Sequence, residues 1–323
     1  MNYYSSLLFF DILLHKPITF EFNLCATFAA VKIHSVYMQY IKNQEFWGER
    51  PLFGSHDLTI ENVIIHEGES ALKECRDIKV DACRFEGKYP LWHIDGFEVR
   101  HSLLTDGARA ALWYYRNLVM CDTRIEAPKT LREMDGVIME RVQIPNATET
   151  FWKCANVVIN DVEVNNADYV FMHSHDITIH NYRQQGNYSF QYCRNVEIHN
   201  AVLDTRDAFW ETENVTVYDS ELKGAYLGWH SKRLRLVNCK ISGTQPLCYA
   251  QDLVLENCTF DKSCDLAFEY SSVKATINGS VTSIKNPTTG YIEADGVDEM
   301  IIDDNILPPA NCRILVRSAQ QTR

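Results

Sequence analysis

Apolar and polar residues alternate in short runs along most of this chain, and the runs return at a nearly fixed interval. Numbering each repeat from the first apolar residue after a turn gives the anchors Leu58, Ile78, Phe97, Leu118, Val137, Val157, Ile177, Val196, Val215, Leu234, Leu253 and Val273, spaced 19 to 21 residues apart. The anchor and the residue two beyond it are apolar almost throughout, as in Leu58/Ile60, Ile78/Val80 and Val215/Val217. That is the signature of a strand with one buried face. Just before the anchor stands Asp, Asn or Gly in nearly every repeat, suited to a turn. A second strand carries Phe85, Leu104, Ile125, Ile144, Leu203, Leu222, Ile241 and Phe260 inward at seven after the anchor. A third carries Leu72, Leu91, Leu112, Leu131, Phe151, Phe171, Phe190, Phe209 and Leu247 at six before it.

Three short strands per repeat, each stacking on its equivalent in the next, predict an all-β, single-domain parallel β-helix with coils of about 20 residues. Parallel crossovers make the coil right-handed. The drift in spacing excludes a hexapeptide helix, and the order of a leucine-rich repeat is missing. The chain divides accordingly. Residues 1–37 lie outside the repeat and read as a non-native or dispensable leader, or as a hydrophobic cap. Residues 38–56 lead in and cap, 57–276 are the coils, and 277–323 read as irregular terminal coils and a C-terminal cap.

Composition narrows the function classes. A net charge of −12 lacks the basic footprint of a nucleic-acid binder. No apolar run is long enough to span a bilayer, and Asp11 breaks the only stretch resembling a secretory signal, so no membrane partner is expected. The eleven cysteines fall on repeat positions: Cys75, Cys154 and Cys193 three before the anchor, Cys83, Cys239 and Cys258 five after it. They read as small apolar fillers, and free thiols in such number fit a reducing, cytoplasmic compartment.

Chemistry is expected where two columns face water. Trp92, Trp113, Trp152, Trp210 and Trp229 stand five before the anchor, in a column that also accepts Lys73 and Arg132. Four before the anchor stand Glu74, His93, Tyr114, Glu133, Lys153, His173, Tyr192, Glu211, His230, Tyr249 and Glu269. Positions six and three before the anchor are inward, so these two bulge outward as an arc. Indole faces beside titratable groups suit an extended polar ligand such as a carbohydrate.

The five tryptophans, Lys153 and His173 are the candidate binding residues. Glu211, His230, Asp207 and Tyr192, on neighbouring coils, are the candidate catalytic ones. Two carboxylates there would serve glycoside hydrolysis. Alternatively, His230 or Lys153 would take a proton next to a uronate carboxylate neutralised by Arg206 or Arg132. His173, His175 and His180 are not expected to converge on a metal, and no phosphate loop or nucleophile elbow is present, so no metal or cofactor is expected.

Several segments carry a resemblance: Phe46-Trp-Gly-Glu-Arg-Pro-Leu-Phe-Gly54, Gly68-Glu-Ser-Ala-Leu-Lys-Glu74, Tyr89-Pro-Leu-Trp92, Ala111-Leu-Trp-Tyr114, Ile125-Glu-Ala-Pro-Lys129, Tyr226-Leu-Gly-Trp229 and Leu266-Ala-Phe-Glu-Tyr270. Together they resemble an uncharacterised, mostly bacterial β-helix family, domain of unknown function 3737. The resemblance implies a fold similar to that of pectin lyases, but no activity. The aspartate motifs of polygalacturonases and the calcium-binding cluster of pectate lyases are not visible. Two function classes follow: a protein that binds a carbohydrate along the stripe, with hydrolysis or elimination as its chemistry if it is an enzyme, or a non-catalytic scaffold that docks a partner protein there.

Overall fold

The computed structural model describes residues 39–303 and 311–317, and the leader at 1–37 lies outside them. These residues form strands and turns, with no helix among them. The anchors stack in strict register. Leu58 lies opposite Ile78, Ile78 opposite Phe97 and Phe97 opposite Leu118, and the parallel pairing continues through Val215 opposite Leu234. The alternation seen in the sequence thus becomes one buried row per coil, with Leu58, Ile60, Val137, Ile159 and Val217 essentially inaccessible. The second side stacks likewise, Phe85 on Leu104 and Leu104 on Ile125.

Coil stacking reaches into the lead-in segment as well as the terminal coils. Gln39–Lys42 pairs with the strand at Leu58 and Glu45–Glu49 with that at Ile64, so the lead-in segment is itself a coil. At the other end Thr289–Ala294 stacks on Ser272–Asn278, and Asn311–Val316 stacks on Thr289–Ala294. Val273 now pairs with Gly290. The shortened coil breaks the sequence period while the stacking persists.

The third side differs from expectation. Apart from Leu91–Trp92 paired with Leu112–Trp113, it is built mostly of turns. Its residues at eight and four before the anchor are left-handed in nearly every coil, and from Leu131 to Leu247 so is the one at six: in one coil Asp207, Phe209 and Glu211 have φ of 53°, 61° and 51°. Left-handed residues cost roughly 1 kcal/mol or more each when they are not glycine, and such alternation cannot run as a straight strand. Many keep pairing to the next coil, the Asp207 N–H donating to the Ala225 carbonyl and the Glu211 N–H to the Trp229 carbonyl, both at 2.9 Å.

This geometry gives the cysteines a second role. The carbonyl of the left-handed residue six before the anchor points inward, where a group three before the next anchor meets it. Cys154 Sγ donates to the Leu131 carbonyl at 3.4 Å, Ser174 Oγ to that of Phe151 at 2.6 Å and Cys193 Sγ to that of Phe171 at 2.7 Å. Burial pushes the Cys154 thiol up to about 12, so it stays protonated and able to donate. All six cysteines named above are free and buried. They fill space and also donate to carbonyls of the preceding coil, some of which, as Leu131 does from the Trp152 N–H, accept a backbone donor as well.

A titratable clamp holds the first coil. His66 lies between Glu45, 2.8 Å from Nε2, and Glu86, 3.0 Å from Nδ1, and its ring stacks on Trp47 at 4.7 Å. The hydrogen bond to Glu45 is the main cause raising its pKa above the ordinary imidazole value, with burial acting against it. A raised folded-state pKa stabilises fully below the unfolded value, about 6.5, and the benefit is lost as pH rises through the raised one. Amide exchange of Glu45–Glu49, compared between the parent and His66→Gln, should show protection lost in the variant at pH 6 and equal protection at pH 9. Equal protection at both pH values would refute the clamp.

Candidate functional site

The outward arc exists, and its two columns have different characters. Trp92 and Trp113 stack at 5.7 Å and 17°. Lys73 Nζ covers Trp92 at 5.4 Å, and the Arg132 guanidinium lies between Trp113 and Trp152, 4.9 Å from each ring. Further on, Trp210 packs against Trp229 at 5.6 Å. The indole N–H groups are used as well: Trp92 donates to the Ala110 carbonyl at 2.9 Å, Trp113 to that of Lys129 at 2.7 Å and Trp229 to that of Gln245 at 2.7 Å. Most of these indoles therefore present edges to solvent, while their faces and donors bind coil to coil. A parallel ladder lies eight before the anchor, where Tyr169 stacks on Tyr188 at 4.7 Å and Arg206 sits 6.0 Å from Tyr188 and 5.5 Å from Tyr226.

The neighbouring column remains exposed at Glu74, His93, Tyr114, Glu133, Lys153, His173, Tyr192, Glu211 and His230. Read down the coils it repeats one order three times: Glu74–His93–Tyr114, Glu133–(Lys153)–His173–Tyr192, and Glu211–His230–Tyr249. The rings lie on one another, His173 on Tyr192 at 4.8 Å and His230 on Tyr249 at 4.9 Å, and His93 Nδ1 is 3.4 Å from Glu74. Among the described residues the side chains of Glu133, Lys153, Glu211, Tyr114 and Tyr192 make no hydrogen bond or ion pair. The order is visible only by stacking the repeats, since its members are a coil apart in sequence.

Glu269 departs from the column expected for it. The coil inserts a residue, so Tyr270 takes the exposed place and stacks on Tyr249 at 5.7 Å. Glu269 turns inward, only 9% exposed. There it pairs with Lys285 Nζ at 2.8 Å, which raises the Lys285 pKa.

Of the four candidate catalytic residues, Tyr192, Glu211 and His230 occupy successive rungs of one column. Asp207 does not join them. It lies in the other ladder, buried, with Oδ2 3.0 Å from Arg206 Nε; burial raises its carboxyl pKa, and Arg206 pulls against that rise. The three neighbouring histidines also separate: His173 is on the stripe, His175 Nδ1 pairs with Asp176 at 2.7 Å and His180 stacks on His199 at 4.8 Å. Among the described residues no three His, Cys, Asp or Glu side chains group as metal ligands, and no helix is long and apolar enough to cross a membrane.

Sequence reasoning missed a concave feature, at the corner after the first strand. Two grooves of about 540 and 390 Å³ lie there, lined among others by His101, Asp122, Arg124, Arg141, Asn181 and Arg183. Its signal was an Asn/Asp column four after the anchor, including Asn181, Asn200 and Asn238, whose carboxamides form a ladder: Asn200 Nδ2 donates to Asn181 Oδ1 at 2.6 Å. Many of its charges are paired internally, as Arg141 is with Asp122 at 2.6 Å.

Solved structures align with low superposition scores. The pentapeptide-repeat protein HetL of the cyanobacterium Nostoc is 12% identical, covering 72% of this chain and 90% of its own, with a TM-score of 0.20. The catalytic domain of a GH87 α-1,3-glucanase is 10% identical, covering 87% and 61%, with a TM-score of 0.24. The fluoroquinolone-resistance protein QnrB1 is 11% identical, covering 69% and 90%, with a TM-score of 0.18. None of the curated proteins matches the sequence. The family model described as protein of unknown function (DUF3737) matches residues 39–315, nearly the whole solenoid, and the chain therefore belongs to that family.

Proposed function

We propose that the stripe is a binding surface for an extended carbohydrate lying along the stacking axis. The observation that carries this reading is the outward Glu–His–Tyr order, repeated three times and exposed at all but Tyr249, with several of its donors and acceptors unspent within the protein. Behind it the indole and arginine ladder fixes the backbone of each rung, which lowers the ordering cost of binding. A repeating array of carboxylates, imidazoles and phenols matches the hydroxyls of a repeating polymer, and the aromatic rings offer apolar contact. The reading is one of binding rather than turnover, because Asp207 is engaged by Arg206 and the remaining acid–base candidates lie side by side on one open face.

The test is a glycan array with the full-length protein and its Tyr192→Ala/His230→Ala variant. Both residues are exposed and lose mainly their stacking on His173 and Tyr249, worth about 0.5–1.5 kcal/mol each, so the melting temperature should fall only modestly while glycan binding falls about tenfold or more. Trp229→Ala should instead lower stability, by about 2 kcal/mol, through loss of its stacking and its hydrogen bond. A parent that binds no glycan would sink the reading and leave docking of a partner protein as the use of the stripe.

A further inference from the structure

The indole ladder is interrupted twice between tryptophans, once by Arg132, which stacks on both neighbours, and once by a pair of residues that do not, and this second interruption has the features of a binding subsite. Between Trp152 and Trp210 the column holds Met172, partly buried, and Gln191, 8% exposed. Three coil steps separate the two indoles, roughly 14 Å at strand spacing. Trp152 is covered by Arg132 on the side of the preceding coil, and Trp210 packs against Trp229 of the following one. On the side of the gap Trp152 meets no indole, only the tilted ring of Tyr169 at 6.5 Å. Gln191 adds an independent sign: its carboxamide has no hydrogen-bond partner among the described residues, although the residue is more than nine-tenths buried.

The rims differ in chemistry. On one side stand Lys153, His173, Tyr192 and Glu211 in order; Tyr192 is 41% exposed. Lys153 stands apart from the other stripe cations, Lys73 and Arg132, because it has neither an aromatic ring nor a carboxylate as partner among the described residues. The stacked Tyr169 and Tyr188 close the opposite side.

We infer that this notch, within the carbohydrate-binding reading above, takes a pyranose bearing a carboxylate. The sugar rings would seat over Met172 between Trp152 and Trp210, and the Gln191 amide would bond a hydroxyl. The carboxylate would pair with Lys153, and hydroxyl donors would face Glu211 at the far end. The polarity of the rim sets the direction of the chain.

The probes are tetragalacturonate, tetraglucuronate and their methyl esters, titrated against the full-length protein by tryptophan fluorescence. The expected result is binding of a free acid that weakens about tenfold or more on esterification or in Lys153→Met. Met172→Trp, which continues the ladder through the gap, should block it while leaving the melting temperature unchanged or higher. Lys79→Ala, exposed on the strand that carries Ile78 and away from the stripe, is the control and should retain it. Equal affinity for acid and ester, or binding indifferent to Lys153→Met and Met172→Trp, would overturn the inference while leaving the stripe reading intact. Glycan binding elsewhere on the array with none of these four probes bound would also overturn it. Absence of any glycan binding would remove both.

Discussion

Phe190→Ala is expected to lower the free energy of unfolding by about 4 kcal/mol. The ring is inaccessible to solvent and lies between Phe171 at 4.7 Å and Phe209 at 5.3 Å in a column that begins at Phe151. In a globular core the neighbours would partly collapse into the space left by a truncation. Here the backbone sets the layer spacing: the Phe190 N–H donates to the Val170 carbonyl at 2.9 Å, and that of Phe209 to Ser189 at 2.9 Å. The flanking rings cannot close the gap, so the cavity contribution remains in full. Phe190 has φ of 59°, so Phe190→Gly should be no worse than Phe190→Ala, although glycine in a regular strand is worse than alanine by about 0.5–1 kcal/mol. Urea titration of both variants, with amide exchange in the adjoining coils, checks both claims. A loss below about 1 kcal/mol for the alanine variant would contradict the stacked-layer argument.

How much of this was legible in the sequence follows from which forces set each feature. The anchor rows were legible because a strand with one wet face must alternate, and Leu58, Ile78 and Phe97 do so at a constant interval. The stripe was legible for a related reason: Phe209 and Thr212 needed to be inward, leaving Trp210 and Glu211 outside. The left-handed third side was not. Nothing about Phe209 or Lys153 as residue types favours positive φ, and that conformation is imposed by stacking on the coils above and below. The placement of Glu269 was misread because Glu269 and Tyr270 both suit an exposed column, and only the inserted residue decides between them. The tryptophans show a further limit, since a column of indoles in sequence does not reveal whether their faces meet solvent or one another. In the structure most meet one another, which moves the ligand-facing role towards the column beside them.

The terminal coils offer the second large effect. Gly290→Ala is expected to cost about 3 kcal/mol, confined to the strands that follow it. Gly290 stands opposite Val273 with φ of 104°, and an added Cβ would lie 1.8 Å from the Val273 carbonyl oxygen. That oxygen belongs to a backbone held from its other side by Leu253, so it cannot retreat without breaking a second ladder. The local relief is to detach the coil carrying Gly290. Because each coil contacts only its neighbours, Thr289–Ala294 and Asn311–Val316 should lose exchange protection while coils near Leu118 and Phe190 keep theirs. The strand at Ser272–Asn278 would then become an open edge, and concentration-dependent association should appear. Gly279→Ala is the control: its φ of 90° carries similar strain, but a Cβ there meets nothing within 4 Å. Should the two variants lose equal protection, left-handed strain alone accounts for the effect and the close approach of the two backbones does not limit the fold. If Gly290→Ala loses far more, contact between successive backbones is what makes glycine necessary at this rung.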